Sequence, residues 1–330
     1  MKKVKILSTG CYIPNNVLTN FDLEKMVDTS NEWIITRTGI RERRIADKDQ
    51  STSDLAVEAA KNCIDKVNFP KEEIDTIIVA TITPDMLFPS TACIVHKKLG
   101  IKREVFAFDV SAACSGFIYG LVLAEGLLKI GKSKNLLLIA SDVLSKFVNW
   151  QDRNTCVLFG DGAGAMLLSS TDDEDIEDGI VGTYFGADGN YDELLYIPAG
   201  GSKLPASFET VQKNLHTIVM SGKEVFKVAV TKMVDSVVKA CEICGISVNQ
   251  LDLLIPHQAN LRIINAVGER LNIDPSKIFI NVDRYGNMSA STVIVSLDEA
   301  ITSKKISKGS LVGLVAFGGG FTWGAAILRI

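Results

Sequence analysis

Residues 104–121, "EVFAFDVSAACSGFIYGL", join a strand pattern to a helix pattern through a turn of small residues. The first part, "EVFAFDV", is short and rich in β-formers. The helix "CSGFIYGLVLAEGLLKIG" is apolar on nearly every face, so it belongs in the centre of the molecule. The same layout returns 173 positions later. "EVFAFDVSAAC" aligns without a gap on "KIFINVDRYGN" (277–287), which sets Cys114 on Asn287. "EEIDTIIVAT" (72–81) likewise parallels "NQLDLLIPHQ" (249–258), and "LFGDGAGAMLL" (158–168) parallels "AFGGGFTWGAAIL" (316–328) with two extra residues in the second loop. Three matches in one order describe a duplicated chain.

Strand and helix patterns alternate throughout, which predicts a layered α/β fold. Strands are expected at "VKILSTG", "IDTIIVAT", "EVFAFDV", "NLLLIAS" and "GAMLLSS", then at "LDLLIP", "KIFINV", "SLVGLVAFG" and "WGAAILRI". Gly100 and Gly245 should end helices as left-handed caps, and Ser221 with Glu224 forms a capping-box pattern. The acidic stretch "TDDEDIEDG" (171–179) reads as a linker, dividing the chain into halves 1–172 and 173–330. Equivalent strand ends of two packed halves meet at one place, and a site is expected there.

The 330 residues are 47% hydrophobic and 22% charged, enough for a large core and incompatible with disorder. A net charge of −4 without a dense basic run disfavours nucleic-acid binding. No apolar run is long enough to span a bilayer, and the apolar stretch of "MKKVKILSTG" is too short for a signal peptide. Seven cysteines, an odd number, fit reduced thiols in a cytoplasm. Cys241 and Cys244 form a lone CxxC on a helix. A zinc site would need two more ligands, so a packing role is expected.

Cys114 follows a strand and opens a helix, where free N–H groups and the dipole favour an anion and lower a thiol's pKa. Small neighbours (Ala112, Ala113, Ser115, Gly116) would admit an acyl donor to the sulfur. A packed core thiol is the alternative. Among three histidines, His96 lies near a helix end and His216 on a strand pattern without polar company. His257 sits in "HQAN", just past a buried strand that Pro256 stops, where a polar cluster has little structural purpose; a satisfied core histidine is the competing reading. Asn287 occupies the equivalent turn of the second half, as a site residue or as an N-cap. "FGGGFTWG" (317–324) lets backbone approach a ligand and present N–H groups to it. "GLLKIGKS" (126–133) satisfies the phosphate-loop expression, but it ends a helix and precedes a strand, the reverse of what that loop requires.

With "DVSAACSGF", "LFGDGAGA", "PHQANLRI" and "YGNMSAST" in hand, the chain resembles the 3-oxoacyl-(acyl-carrier-protein) synthase III family. These are the initiating condensing enzymes of bacterial type II fatty-acid synthesis, and the resemblance runs from "TSNEWIITRTGIRERR" (29–44) to the last strand. It implies a thiolase-like, duplicated five-layer αβαβα core, a homodimer, a cytoplasmic location, and no metal or redox cofactor. It implies Cys114 as the acylated nucleophile, with His257 and Asn287 completing the triad. The N–H groups of Cys114 and Gly319 would form the oxyanion hole. Trp33 and Arg153 would sandwich the adenine of coenzyme A, Arg37 would meet its phosphates, and Gly222, Phe226, Ala259 and Asn260 would line the pantetheine tunnel. Phe88 would reach into the partner's acyl pocket, and Arg262 with Lys227 would dock the carrier protein. The substrates implied are acyl-coenzyme A and malonyl-acyl-carrier protein. A related thiolase-fold acyltransferase, a starter synthase of secondary metabolism, or a non-catalytic coenzyme A or carrier binding protein are the alternatives. The choice of acyl primer is not legible in the residues.

Overall fold

The computed structural model describes residues 2–173 and 178–330. The middle of the expected linker, 174–177, lies outside the described residues.

Nine strands build two sheets. In the first, β1 (Lys3–Tyr12), β2 (Thr76–Ala80), β3 (Phe106–Val110), β4 (Asn135–Val143) and β5 (Asp161–Thr171) lie in the order β1-β5-β4-β2-β3. In the second, β6 (Gly179–Ala187), β7 (Leu253–Pro256), β8 (Leu311–Gly318) and β9 (Thr322–Arg329) lie in the order β6-β9-β8-β7. Pairing repeats step by step: β1 with β5 and β6 with β9 antiparallel, β5 with β4 and β9 with β8 antiparallel, β4 with β2 and β8 with β7 parallel.

The principal helices are α1 (Asn31–Thr38), α2 (Thr52–Asp65), α3 (Thr91–Leu99), α4 (Gly116–Lys129), α5 (Gly222–Ile243), α6 (Leu261–Leu271) and α7 (Ser291–Thr302). α2 and α3 cover the outer face of the first sheet, with Leu55, Ala59 and Val95 packed on Ile77 and Leu137. α4 and α7 fill the space between the sheets, where Phe117, Leu121, Ile294 and Leu297 meet Leu138 and Leu314. α5 and α6 cover the second sheet with Val230, Met233 and Ile264 on Val315 and Ile327. The result is the five-layer αβαβα stack. The N-terminal half of α4 is buried on nearly every side, as its apolarity requires, whereas Leu123 and Gly126 of its second half reach the surface. No described helix is long and apolar enough to cross a membrane.

Three local expectations change. "KIFINV" is not a strand: only Ile278 bridges β7, with the Phe279 N–H donating to Leu254 O at 2.9 Å. The segment holds the place that β3 holds beside β2, but the fully buried Gln258 side chain takes over its ladder. Gln258 Oε1 accepts from Asn281 N–H (2.9 Å) and Val282 N–H (3.2 Å), and Nε2 donates to Phe279 O (3.1 Å) and Pro256 O (2.7 Å). Strand β6 was not expected; three glycines (179, 182, 186) and a half-exposed edge position blur its pattern. Ser221 stands at the start of α5 without a side-chain cap, because its N–H is tied to Leu194 O at 2.8 Å and its ψ of 74° is not extended. Gly100 and Gly245 do end their helices, at φ +66°.

Replacing Gln258 by Leu would strand two buried N–H groups and two carbonyls. At about 1–3 kcal/mol per unsatisfied group, a loss of at least ~2 kcal/mol is expected in a urea unfolding titration. A loss under ~0.5 kcal/mol would mean the amide is not the strand substitute described.

Candidate active site

Cys114 lies in a single 3-10 turn, Ala113–Ser115, between β3 and α4. Two cross-links lock that turn to the tight connection between β8 and β9. Ser115 Oγ donates to Thr322 O (3.0 Å), and Thr322 Oγ1 donates to Ala112 O (2.9 Å). Gly318 packs so closely that a Cβ there would stand 2.5 Å from Cys114 N. The glycine run therefore lets the two backbones touch.

His257 follows β7 and is anchored by its own N–H to Val315 O at 2.7 Å. Its Nδ1 lies 2.6 Å from Thr292 Oγ1 in the first turn of α7. Asn287 is placed by backbone pairing with the opposite half. Its N–H donates to Leu158 O (2.8 Å), and Gly160 N–H donates to its carbonyl (3.0 Å). Asn287 Oδ1 accepts Ser289 N–H at 2.8 Å. Only an oxygen can accept there, so the amide is oriented and Nδ2 is the end left for the cavity. The N-cap reading does not hold: Asn287 closes a turn ahead of α7, whose own cap is Ala290.

All three side chains line one cavity of about 1060 Å³, at the upper end of ligand sites. Each is nearly buried, with 7%, 4% and 7% of Cys114, His257 and Asn287 exposed. Trp33, Arg37, Gly222, Phe226, Ala259 and Asn260 line the same cavity, which thus runs from exposed Arg37 down to the sulfur. Exposed Lys227 and Arg262 stand at its outer end. Asn260 caps α6 with Oδ1 and donates from Nδ2 to Arg37 O at 3.1 Å, so it ties two walls together.

Three expected residues are not among those lining the cavity. Arg153 stacks on Trp33 itself, 5.2 Å from the ring centre, with Arg37 also 5.0 Å from it, and donates to Asp28 O at 2.9 Å. The expected slot between Trp33 and Arg153 is closed here. Gly319 sits past β8 against Leu195 O, one residue beyond the contact with Cys114. Phe88 is 84% exposed in this chain.

The electrostatics overturn one expectation. Burial pushes the Cys114 thiol up to about 12, and the Asp142 carboxyl adds to the shift; the side chains of Ser289 and Asn287 and the turn's own N–H oppose it. The helix start does not outweigh desolvation. Burial also pushes His257 down to about 3. The resting pair is a thiol beside a neutral imidazole. Asp142, fully buried, gathers Thr81, Thr83 and Ile82 donors on Oδ1, and burial raises its pKa.

Sequence reasoning missed Asp142, Ser289 and Thr292. The last two lie inside the quoted "YGNMSAST", where hydroxyls three apart at a helix start were a readable signal. His216 is in a turn, not a strand, with Nε2 2.9 Å from Thr210 Oγ1. No group of metal-binding residues forms among the described residues, at Cys241 and Cys244 or elsewhere.

The chain matches the family models described as 3-oxoacyl-(acyl-carrier-protein) synthase III over residues 108–189 and as the C-terminal part of the same enzyme over 241–330. It is 55% identical to a beta-ketoacyl-(acyl-carrier-protein) synthase III of Caldanaerobacter subterraneus subsp. tengcongensis, over 98% of this chain and 97% of the relative. It is 50% identical to the protein so named in Clostridioides difficile, over 99% and 98%. Among solved structures, the 3-oxoacyl-(acyl-carrier-protein) synthase III of Aquifex aeolicus superposes with a TM-score of 0.91 at 48% identity, over 99% of this chain and 100% of that one.

A thiol held near 12 should react slowly with iodoacetamide at pH 7. Its alkylation rate should climb about tenfold per pH unit up to pH 10 without a plateau, because the thiolate fraction rises tenfold per unit below the pKa. Mass spectrometry of the Cys114 peptide measures this. A plateau between pH 6 and 8 would show a preformed thiolate.

Proposed function

Since the chain belongs to the 3-oxoacyl-(acyl-carrier-protein) synthase III family, the initiating condensing enzymes of type II fatty-acid synthesis, we propose that its cavity runs that reaction with Cys114, His257 and Asn287. The observation that carries the reading is the meeting of one buried thiol and two neutral polar side chains at the end of a single cavity.

The acyl-coenzyme A enters with its nucleotide at the outer end. Exposed Arg37, Lys213, Lys223, Lys227 and Arg262 all line that end, a charge set suited to phosphates and to an acidic carrier protein. The pantetheine arm passes Phe226 and Ala259. Arg153 must leave the face of Trp33 for the adenine to stack there, which exchanges one ring contact for another. Cys114 attacks the thioester carbonyl, and the N–H groups of Cys114 and Gly319 are the donors proposed for the oxyanion.

Malonyl-acyl-carrier protein then occupies the same cavity. Loss of carbon dioxide leaves an enolate oxygen, which Asn287 Nδ2 and a protonated His257 Nε2 receive. The carbanion attacks acyl-Cys114 and the 3-oxoacyl product departs. Each of these steps is carried by side chains and backbone amides, without a metal or redox cofactor.

A homodimer fits the remaining surface. β3 is the free end of the first sheet, and every residue of "FAFDV" is partly or fully exposed, whereas β2 beside it is wholly buried. Asp109 in β3 caps the start of α3 through Thr91 N–H and Ala92 N–H, so the 86–88 loop preceding α3 stands next to that edge. Leu87 and Phe88 are 85% and 84% exposed. An open apolar strand edge beside two bare side chains calls for a partner.

Incubation with acetyl-coenzyme A should add one acetyl group by intact mass to the wild type and none to Cys114→Ala. Asn287→Ala should still acylate, but malonyl-carrier decarboxylation should fall about 10²- to 10³-fold, the usual cost of one lost donor. An acyl group on Cys114→Ala would remove the nucleophile assignment. For the dimer, light scattering should give twice the chain mass for the wild type and the single mass for Phe106→Asp; a wild-type monomer would refute it.

A further inference from the structure

The Thr292 hydroxyl has one proton and two neighbours. It stands 2.6 Å from His257 Nδ1 and 3.0 Å from the Ser289 carbonyl oxygen, and it is fully buried. The carbonyl can only accept. If Thr292 gave its proton to Nδ1, the contact with Ser289 O would hold no hydrogen. If Thr292 donates to Ser289 O, both contacts are hydrogen bonds provided Nδ1 carries hydrogen. Donation back to a carbonyl three residues earlier is the ordinary habit of threonine in a first helical turn. The Ser289 carbonyl also accepts Thr292 N–H at 3.3 Å in either case, but only the second arrangement puts a hydrogen in both close contacts of the hydroxyl.

We infer that Thr292 is a positioning residue that holds His257 in the Nδ1–H form, so that Nε2 meets the Cys114 side of the cavity as a proton acceptor. The consequence for catalysis rests on the reading under Proposed function. As the sulfur–carbon bond forms, the Cys114 proton passes to Nε2 and the ring becomes imidazolium, with Nδ1–H kept on Thr292. The carbon–sulfur bond of the donor thioester breaks, and the leaving coenzyme A thiolate takes the proton from Nε2 and departs as a thiol, because burial makes the imidazolium a far stronger acid than water. At decarboxylation the negative charge that develops on the enolate oxygen draws one solvent proton onto Nε2, with Nδ1–H kept on Thr292, and that Nε2–H with Asn287 Nδ2 receives the oxygen. When condensation releases the Cys114 thiolate, that proton returns to sulfur. One solvent proton is consumed per turnover, and thiol and neutral imidazole are restored.

The same turn settles both polar side chains. Ser289, at φ +53°, points its N–H at Asn287 Oδ1 and its carbonyl at Thr292 Oγ1. One residue in a left-handed conformation thereby fixes Asn287 as a donor and, through Thr292, His257 as an acceptor.

Long-range ¹H–¹⁵N NMR of the histidine rings tests this directly. The chain has three histidines, and the His257 signals are those missing from His257→Ala. The expected result is hydrogen on Nδ1 and a bare Nε2 in the wild type at neutral pH. Thr292→Val should shift hydrogen to Nε2 and slow single-turnover acetylation of Cys114 by about tenfold or more. Thr292→Ser should restore both. Hydrogen on Nε2 in the wild type would overturn the inference, and so would an unchanged Nδ1–H form in Thr292→Val. If the tautomer is as expected but the wild type gains no acetyl group, the functional reading fails and the positioning role stands.

Discussion

Two backbone hydrogen bonds across the seam of the duplicated halves carry the arrangement: Asn287 N–H to Leu158 O and Gly160 N–H to Asn287 O. They join the turn before α7 to the turn before β5, which brings a polar residue of the second half to the cavity that Cys114 of the first half lines. This approach depends on missing side chains. A Cβ on Gly160 would stand 2.4 Å from Tyr285 O, and one on Gly286 would stand 2.7 Å from Leu158 O. The glycines of "LFGDGAGA" and "YGN" therefore serve the seam between the halves. Asp161 beside them is likewise structural, accepting from Ala46 N–H, Ser145 N–H and Ser145 Oγ.

That seam also sets the electrostatics. Bringing the halves together shields Cys114, His257 and Asn287 from water, and desolvation then favours every neutral form. A buried thiolate–imidazolium pair would face a penalty that a few hydrogen bonds offset only in part. The cavity answers this by keeping its groups uncharged until substrate arrives. In the reaction proposed above, charge would appear only at the moment of attack, on atoms whose donors and acceptors are already aimed. Preorganisation of that kind asks for second-line residues such as Thr292 and Gln258 as much as for the three side chains at the cavity end.

The duplication was legible because it rests on hydrophobic strands and small-residue turns, both local properties. The central helix was legible for the same reason. β6 was not, because an edge strand half open to solvent and diluted with glycine carries no clean alternation. "KIFINV" misled in the opposite direction: its pattern is that of a strand, and its place beside β7 is that of a strand, but a side chain from elsewhere took its hydrogen bonds. At the site, Cys114, His257 and Asn287 could be singled out as polar groups at buried strand ends. The balance between burial and helix start at Cys114 could not, since desolvation depends on the whole second half closing over the sulfur.

The outer end of the cavity follows a different rule from the inner end. Trp33 is flanked by two guanidinium groups in water-exposed surroundings, where each such contact is worth about 0.5–1 kcal/mol. An adenine that displaces Arg153 gains a stack and loses one, so the net contribution of that exchange is small. On the proposed reading, recognition of the nucleotide end is weak and exchangeable, and the positioning of the thioester falls to the walls deeper in. A single cavity can then release coenzyme A after the first half-reaction and receive a carrier protein, which has no adenine, for the second. Tight binding at Trp33 would hold the spent coenzyme in the way of the carrier.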